Sequence, residues 1–184
     1  MLFRSDGTWN ARCDAAEVDF DAESRRIAAE LGTFDPRSET NILTLLPVAQ
    51  RKCREFMAAA SRWPIGQVKI LSCTRTYAEQ NALYAIGRTK PGRKVTNARG
   101  GYSNHNFGIA WDVGIFVGGA YYTGKTAAED RAYSDLAAHI KNNVSGLAWG
   151  GDWRSIVDKP HYQLVAGDDV GRCRARLEDG KAYA

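Results

Sequence analysis

Two polar segments that lie far apart in the chain constrain the fold most, because each offers ligands for the same metal ion. The first, SNHNFGIAWD, contains His105 and Asp112, and the second, DKPHYQ, contains His161. Two imidazoles and one carboxylate can bind a single ion only if the fold brings the two segments together. Structural zinc sites usually have four protein ligands, whereas catalytic sites leave one position for water. A set of three therefore predicts catalytic chemistry.

Residues close to these ligands favour the same interpretation. Gly108 lies between His105 and Asp112 and lets the backbone bend, so that both side chains can converge. Asp158 precedes His161 on a proline-stiffened segment, where its carboxylate could take a proton from water. Each ligand alone could be a helix cap, a strand-edge aspartate or a core histidine, and the prediction depends on their joint occurrence.

Length and composition predict one globular domain. A chain of 184 residues can bury a core, and its 44% hydrophobic and 25% charged content is ordinary. We expect a catalytic core over residues 38–165, with residues 1–37 as an N-terminal extension packed on it within a single domain of residues 1–184. No apolar run approaches the roughly 20 residues that cross a bilayer, so we expect no membrane insertion. The polar amino terminus lacks a secretory signal pattern, which predicts synthesis in the cytoplasm.

The basic residues are dispersed except in one loop. The formal charge is only +4, and the loop contains Arg88, Lys90, Arg93, Lys94 and Arg99. These residues are not interleaved with stacking aromatics, and no nucleic-acid-binding spacing is present, so we expect no nucleic acid partner. The loop could be solvated, and it would fit an anionic cell-wall polymer equally well.

The cysteines form no CxxC pair, which argues against a redox motif or a cysteine-rich zinc site. They are Cys13, Cys53, Cys73 and Cys173. Reduced thiols are expected, although an even number permits disulfides outside the cell, with three possible pairings.

Hydrophobic periodicity and capping signals predict alternating helices and strands. The predicted helices are Asp21–Leu31, a helix from Leu45 that ends before Trp63, Thr76–Ile86 and a helix that begins at Thr126. A turn at Gly32–Pro36 should end the first helix, and Val48 belongs to the apolar face expected to be buried in the second. The pairs Thr76/Glu79 and Thr126/Glu129 match capping boxes at the starts of the last two. The predicted strands are Gln67–Thr74, Ile109–Val117, Ala120–Tyr122 and His161–Val165. Helices lie between the strands without βαβ repetition, which predicts an α+β fold with a mainly antiparallel sheet flanked by helices.

The segment RTYAEQNALYAIGRTKPGRKVTNARGGYSNHNFGIAWDVGIF, together with DKPHYQ, resembles the zinc peptidases that cut the stem peptides of peptidoglycan. This family comprises D-alanyl-D-alanine carboxypeptidases and L-alanyl-D-glutamate endopeptidases, the latter including many phage endolysins. The likeness spans roughly residues 38–164. It implies a hedgehog and D,D-peptidase-like fold, Zn²⁺ as cofactor and a peptidoglycan stem peptide as substrate.

The resemblance also implies a role for each site residue. His105, Asp112 and His161 would bind zinc, and Asp158 matches the catalytic carboxylate that acts as general base. Arg75, which follows the predicted strand, stands where the family has an arginine that stabilises the substrate carbonyl as it becomes an oxyanion. Two positions depart from the expected pattern and leave the shape of the pocket open, namely Trp111 and Tyr162.

Other residues have weaker signals. Ser103 and Gln80 could support the site by hydrogen bonding. The polar residues that flank the two histidines, which include Asn104 and Gln163, suit the surroundings of a metal site. Trp149 and Trp153 flank a glycine turn and could either line a substrate groove or complete the core. His139 has no partner motif, and we expect it to be structural.

The leading hypothesis is a zinc peptidase that cuts between L-alanine and D-glutamate. A D,D-carboxypeptidase and a zinc-bearing, non-catalytic binding module are the alternatives. We expect a monomer that acts on the cell wall after release or export.

Overall fold

The fold is built around one antiparallel sheet, and the structure, a computed structural model, describes residues 2–3, 9–10, 20–154 and 156–165. Strands β1 (Leu2–Phe3) and β2 (Trp9–Asn10) form a separate antiparallel pair. The main sheet contains β3 (Gln67–Ser72), β4 (Ala110–Val117), β5 (Ala120–Tyr122), β6 (Leu147–Trp149) and β7 (His161–Leu164). Its order is β3-β4-β7-β6, and β5 also pairs with β4.

Five α-helices accompany this sheet within the described residues. They are α1 (Phe20–Leu31), α2 (Pro36–Ile42), α3 (Pro47–Ala60), α4 (Tyr77–Ala85) and α5 (Ala127–Asn143). Every pairing in the main sheet is antiparallel, so the predicted α+β class is confirmed. None of the helices in the described part of the chain is long and apolar enough to span a bilayer.

The core lies between one face of the sheet and the helices. The ring of Phe56 on α3 lies 6.0 Å from that of Trp111 and 4.7 Å from that of Tyr162, in edge-on packing. Trp111 and Tyr162 are paired neighbours on β4 and β7, and both are buried. Because side chains alternate across a strand, Asp112 and His161 point to the opposite face. The two unexpected aromatic residues therefore belong to the core and do not line the site.

Helix α2 was not predicted, because the signals around Gly32–Pro36 were interpreted only as the end of α1. Asp35 caps α2 by accepting a hydrogen bond from Ser38 N, and Pro36 occupies its first turn. The Ser38 hydroxyl accepts from Ile70 N at 2.9 Å, and Asn41 Nδ2 donates to Ile70 O at 3.4 Å. Helix α2 therefore covers part of the edge strand β3.

Two other local predictions were wrong in part. Val48 was assigned to the buried face of α3, yet its side chain is 54% exposed. Thr126 caps α5 by accepting from Glu129 N, but the Glu129 carboxylate accepts from Lys125 N and Thr123 Oγ1, so the reciprocal half of the predicted capping box is absent. The capping box at the start of α4 is complete, as predicted.

The described cysteines, Cys53 and Cys73, are free and buried, and burial raises the pKa of both thiols well above the usual range. Cys13 and Cys173 lie outside the described residues.

His139 Nε2 lies 3.0 Å from Ala59 O. A carbonyl oxygen can only accept a hydrogen bond, so His139 donates to it, which is the structural contact expected of this histidine.

Candidate metal centre

The sheet and one short turn bring the three predicted ligands together. Asp112 on β4 and His161 on β7 are direct partners in the strand register. His105 lies in a 3-10 turn, Asn104–Phe107, immediately before β4. Gly108 ends that turn with a φ of 66°, a left-handed conformation that glycine adopts without strain. All three side chains therefore meet on the sheet face opposite the core.

The candidate ligand atoms form a nearly equilateral triangle. His105 Nε2 lies 3.1 Å from His161 Nδ1, and each of these nitrogens lies 3.3 Å from Asp112 Oδ1. Tetrahedral zinc has bonds of about 2.0–2.1 Å to nitrogen and oxygen, which correspond to ligand–ligand distances of about 3.3 Å. The triangle therefore has the size of one face of a tetrahedral site.

The remaining nitrogen of each histidine is occupied by the protein. His105 Nδ1 donates to Cys73 O at 2.6 Å, and His161 Nε2 donates to Gln163 Oε1 at 2.9 Å. Asn104 Nδ2 donates to the same Gln163 oxygen at 2.8 Å. With those protons fixed, the lone pairs of His105 Nε2 and His161 Nδ1 face a carboxylate oxygen. Three such electron-rich atoms in contact attract a cation between them, so the residues fit a metal ion.

The pKa shifts at the site agree with this arrangement. Burial lowers the pKa of His105, against the opposing effect of Asp112. Burial would raise the pKa of Asp112, but the two histidines and Arg75 outweigh it and hold that pKa well below its usual range. For His161, the hydrogen bond and charge of Asp112 outweigh burial and raise the pKa. A proton on His161 would therefore compete with a metal ion for the same nitrogen.

Arg75 lies at the end of β3, in direct contact with Asp112. Its Nη2 donates to Asp112 Oδ2, its Nε donates to Ser72 Oγ at 3.1 Å, and its Nη1 donates to Gln80 Oε1 at 3.4 Å. A guanidinium has five N–H donors, so two remain for a ligand in the cavity that Arg75 lines. The arginine therefore orients the carboxylate and can still contact a substrate.

Asp158 lies beside the triad and lines the same cavity. Its side chain makes no hydrogen bond to any residue in the described part of the chain, so its position depends on the backbone. Asp158 N donates to Gly150 O at 3.0 Å, and its carbonyl accepts from His161 N at 3.2 Å. Burial and the charge of Asp112 raise the pKa of Asp158, against the opposing effects of His161 and Arg75.

The turn that contains Asp158 is tied to helix α5. Lys159 Nζ donates to Asp130 Oδ2 at 2.7 Å and to Ser134 Oγ at 3.0 Å. Trp149 Nε1 donates to Lys159 O at 2.7 Å. Trp149 is absent from the cavity lining, so this residue supports the turn and does not form the wall of a groove.

The triad lies within a cavity of about 660 Å³. One wall consists of Val95–Ala98, and Trp153 lies on another side with its ring 4.7 Å from that of His161. Ser103 also lines the cavity. Gln80 is buried and donates to Ala98 O at 2.8 Å, which joins helix α4 to the cavity wall.

Sequence reasoning found one supporting residue and missed another. Gln163 is among the polar residues expected to surround the ligands, and its position two residues after His161 places both on the same strand face. Lys159 had no signal, because its partners on α5 are distant in sequence.

Comparison with known proteins gives matches to a peptidase family and to a characterised relative. The profile of the D-alanyl-D-alanine carboxypeptidase family matches residues 96–164, which include the three candidate ligands and Asp158. The chain is also 34% identical over 124 residues to the peptidoglycan L-alanyl-D-glutamate endopeptidase CwlK of Bacillus subtilis (strain 168). That alignment covers 66% of this chain and 74% of the relative.

Among the solved structures that match, an L-Ala D-Glu endopeptidase is similar in fold, and the match to an LD-carboxypeptidase is weaker. The L-Ala D-Glu endopeptidase ChiX of Serratia marcescens gives a TM-score of 0.52 with 24% identity, over 73% of this chain and 91% of that one. The LD-carboxypeptidase LdcB gives a TM-score of 0.47 with 20% identity, over 75% of this chain and 73% of that one. The ChiX match extends across nearly the whole of that chain, which shows a shared fold.

Proposed function

Because the chain belongs to the D-alanyl-D-alanine carboxypeptidase family of peptidases, we propose that it is a zinc-dependent endopeptidase that cuts peptidoglycan stem peptides between L-alanine and D-glutamate. The similarity to the L-alanyl-D-glutamate endopeptidase of Bacillus subtilis supports this choice of bond. The observation that carries the proposal is a set of three converging ligand atoms, inside a cavity, with a free carboxylate beside it. This arrangement suits hydrolysis better than structural metal binding.

His105, Asp112 and His161 would hold the zinc ion. Imidazole and carboxylate ligands also suit other divalent metals, but the tetrahedral spacing of these atoms favours zinc. Bound zinc supplies Lewis acidity, which polarises a carbonyl group and lowers the pKa of water at the open position.

Asp158 would move the proton in this reaction. Its carboxylate has no competing hydrogen bond within the described residues, so it can accept a proton from water and later give that proton to the leaving amine. Burial raises the pKa of Asp158, which brings its proton affinity closer to that required near neutral pH. The backbone hydrogen bonds to Gly150 and His161 would hold the carboxylate in place.

Arg75 would contact the carbonyl oxygen of the bond being cut. Two of its N–H groups are not used by Asp112, Ser72 or Gln80. A guanidinium fixed in this way can stabilise negative charge as it develops, without first reorganising.

Mass spectrometry of the products from purified peptidoglycan tests the proposal. The zinc-loaded protein should sever stem peptides and expose D-glutamate at the new amino terminus. Release of free D-alanine instead would assign D,D-carboxypeptidase activity. This is the second candidate, and the match to the D-alanyl-D-alanine carboxypeptidase family supports it. No product of either kind would contradict peptidase function and favour a binding module.

The same proposal includes the site of action. A protein that cuts peptidoglycan must reach the cell wall, so we propose that it acts there after release or export, as a monomer. Light scattering of the purified protein tests the monomer, and detection of cut stems only in cells whose membrane has been permeabilised tests the need for release.

A further inference from the structure

One segment of the chain carries an unbalanced positive charge. Between Glu79 and Asp112 there is no acidic residue, whereas five basic residues occur, so the segment carries +5 while the whole chain carries +4. The five are Arg88, Lys90, Arg93, Lys94 and Arg99. In the described residues, 20–154 and 156–165, none of them forms an ion pair with an acidic side chain.

Two of the five stabilise the loop itself. Arg88 donates to Tyr84 O at 2.7 Å and to Thr96 O at 3.0 Å, and its guanidinium lies 3.8 Å from the centre of the Tyr84 ring. Arg99 donates to Tyr102 Oη at 2.9 Å and lies over that ring. These contacts account for the presence of Arg88 and Arg99.

The other three are exposed and have no such role. The side chains of Lys90, Arg93 and Lys94 make no hydrogen bond or ion pair with any residue that the structure describes. Lys90 has a fixed backbone, because its N–H donates to Ala85 O at 2.9 Å and its carbonyl accepts from Gly87 N at 2.8 Å. Lys90 therefore lies on a hydrogen-bonded turn, and Arg93 and Lys94 follow it in an exposed loop, so all three charges are available to a partner.

These charges are next to the candidate active site. The residues that follow them, Val95–Ala98, form a wall of the cavity that holds the triad. Lys90 lines an adjoining cavity of about 700 Å³, which shares Leu71, Ser72, Arg75 and Leu83 with the first. The exposed cations therefore lie on a cavity wall or on the segment that leads into one, beside the site that a polymer stem would occupy.

We propose that Lys90, Arg93 and Lys94 form a docking surface for the carboxylates of peptidoglycan stem peptides that neighbour the one being cut. This inference rests on the proposed function, because peptidoglycan is the polymer that it supplies. Stem peptides linked through glutamate keep free carboxyl groups, so intact peptidoglycan is a dense array of anions. Unpaired cations attract such an array over about one Debye length, roughly 10 Å at 0.1 M salt.

A triple substitution tests the surface. The variant Lys90→Gln/Arg93→Gln/Lys94→Gln would be compared with Arg37→Gln/Arg62→Gln/Arg131→Gln, which removes the same charge from exposed residues that line neither cavity. Both are made in zinc-loaded, full-length protein that also carries Asp158→Asn, so that the polymer stays intact. Cosedimentation with peptidoglycan stripped of phosphate polymers then measures the apparent Kd over a range of salt concentrations.

The loop variant should bind about tenfold more weakly than its parent at about 0.01 M salt, and this difference should shrink as the salt concentration rises. The control variant should lose much less. Chemical amidation of the peptidoglycan carboxyl groups should abolish the difference between parent and loop variant. Equal losses in the two triple variants, or a difference that survives amidation, would overturn the proposal.

Two further outcomes are distinguishable. If the loop matters only before phosphate polymers are stripped, the partner is a phosphate polymer and the carboxylate assignment is wrong. Failure of the proposed function would show separately, as absence of hydrolysis of a soluble stem peptide by the protein with Asp158 intact, whatever the binding result.

Discussion

Two clusters of buried polar side chains in this molecule differ in how completely the protein satisfies them. In the first, the scaffold cluster, Arg54 forms a two-bond ion pair with Glu39, at 2.8 Å for each bond. Arg54 also donates to Gly32 O, and Glu39 accepts from Phe34 N at 2.7 Å. Each of these hydrogen bonds joins a donor to an acceptor, although Arg54 Nε has no partner among the described residues. The cluster holds the link between α1 and α2 without any ligand.

The second, the candidate metal site of His105, Asp112 and His161, is different. Its outward groups are satisfied by Cys73 O, Gln163 and Arg75, but its three inward atoms are all electron-rich. The protein thus fixes the orientation of each ligand and leaves the centre to a cation. The comparison teaches that burial of charge alone does not mark a functional site, whereas acceptors that converge without a donor do.

The largest expected effect separates catalysis from metal binding inside the second cluster. Asp158→Asn should lower kcat by about 10²- to 10⁴-fold, because it removes the proton acceptor. Zinc content should stay at one ion per chain, since Asp158 is outside the ligand triangle. Hydrolysis of a stem peptide and metal analysis check both statements, and near wild-type turnover would remove Asp158 from the mechanism.

The pH dependence of the unsubstituted enzyme sharpens this prediction. Asp158 must be ionised to accept a proton, and burial raises its pKa. Activity should therefore fall as the pH decreases through that raised pKa, at a higher pH than an exposed aspartate would give. A rate profile in which the acid limb lies at the pKa of an ordinary carboxyl group would contradict the assignment.

The next largest effect concerns the scaffold cluster. Arg54→Leu should lower the free energy of unfolding by about 3–5 kcal/mol, because it leaves the Glu39 carboxylate without its buried partner. The loss should be the same with and without zinc. Arg51→Leu, which breaks an exposed pair with Glu30, is the control and should have a much smaller effect. Denaturant unfolding measures both, and equal losses would break the comparison.

A smaller effect is expected from the groups that orient the ligands. Gln163→Leu should weaken zinc binding by about 10- to 100-fold, because His161 Nε2 loses its acceptor. Gln50→Leu is a matched control, since Gln50 is also buried and hydrogen-bonded but contacts Ser24 and Leu45. Competition with a chelator gives the two affinities. Unchanged zinc affinity in Gln163→Leu would show that this contact does not orient the ligand.

The sequence was sufficient where one residue type has one strong physical meaning. The capping box of Thr76 and Glu79 predicted the start of α4, and the joint occurrence of two histidines and an aspartate predicted which side chains converge. It was insufficient where a signal has two meanings. Asp35 and Pro36 end one helical region and also begin α2, so the local pattern did not reveal the helix.

Support for Asp158 could not be predicted for a different reason. Lys159 is held by Asp130 and Ser134, which belong to a helix more than twenty residues earlier in the chain. The indole of Trp149 could have faced the cavity or the turn, and only the packing of Lys159 decides between these orientations. Such contacts depend on tertiary structure and have no local pattern.

The most direct test of the central claim is a calorimetric titration of the metal-free protein with zinc, which gives the number of ions bound and their affinity. The variants His105→Ala, Asp112→Ala and His161→Ala are titrated in the same way. The account predicts one tightly bound ion per chain in the unsubstituted protein and a large loss of affinity in each of the three variants. Zinc binding that survives all three substitutions, or no zinc binding by the unsubstituted protein, would contradict it.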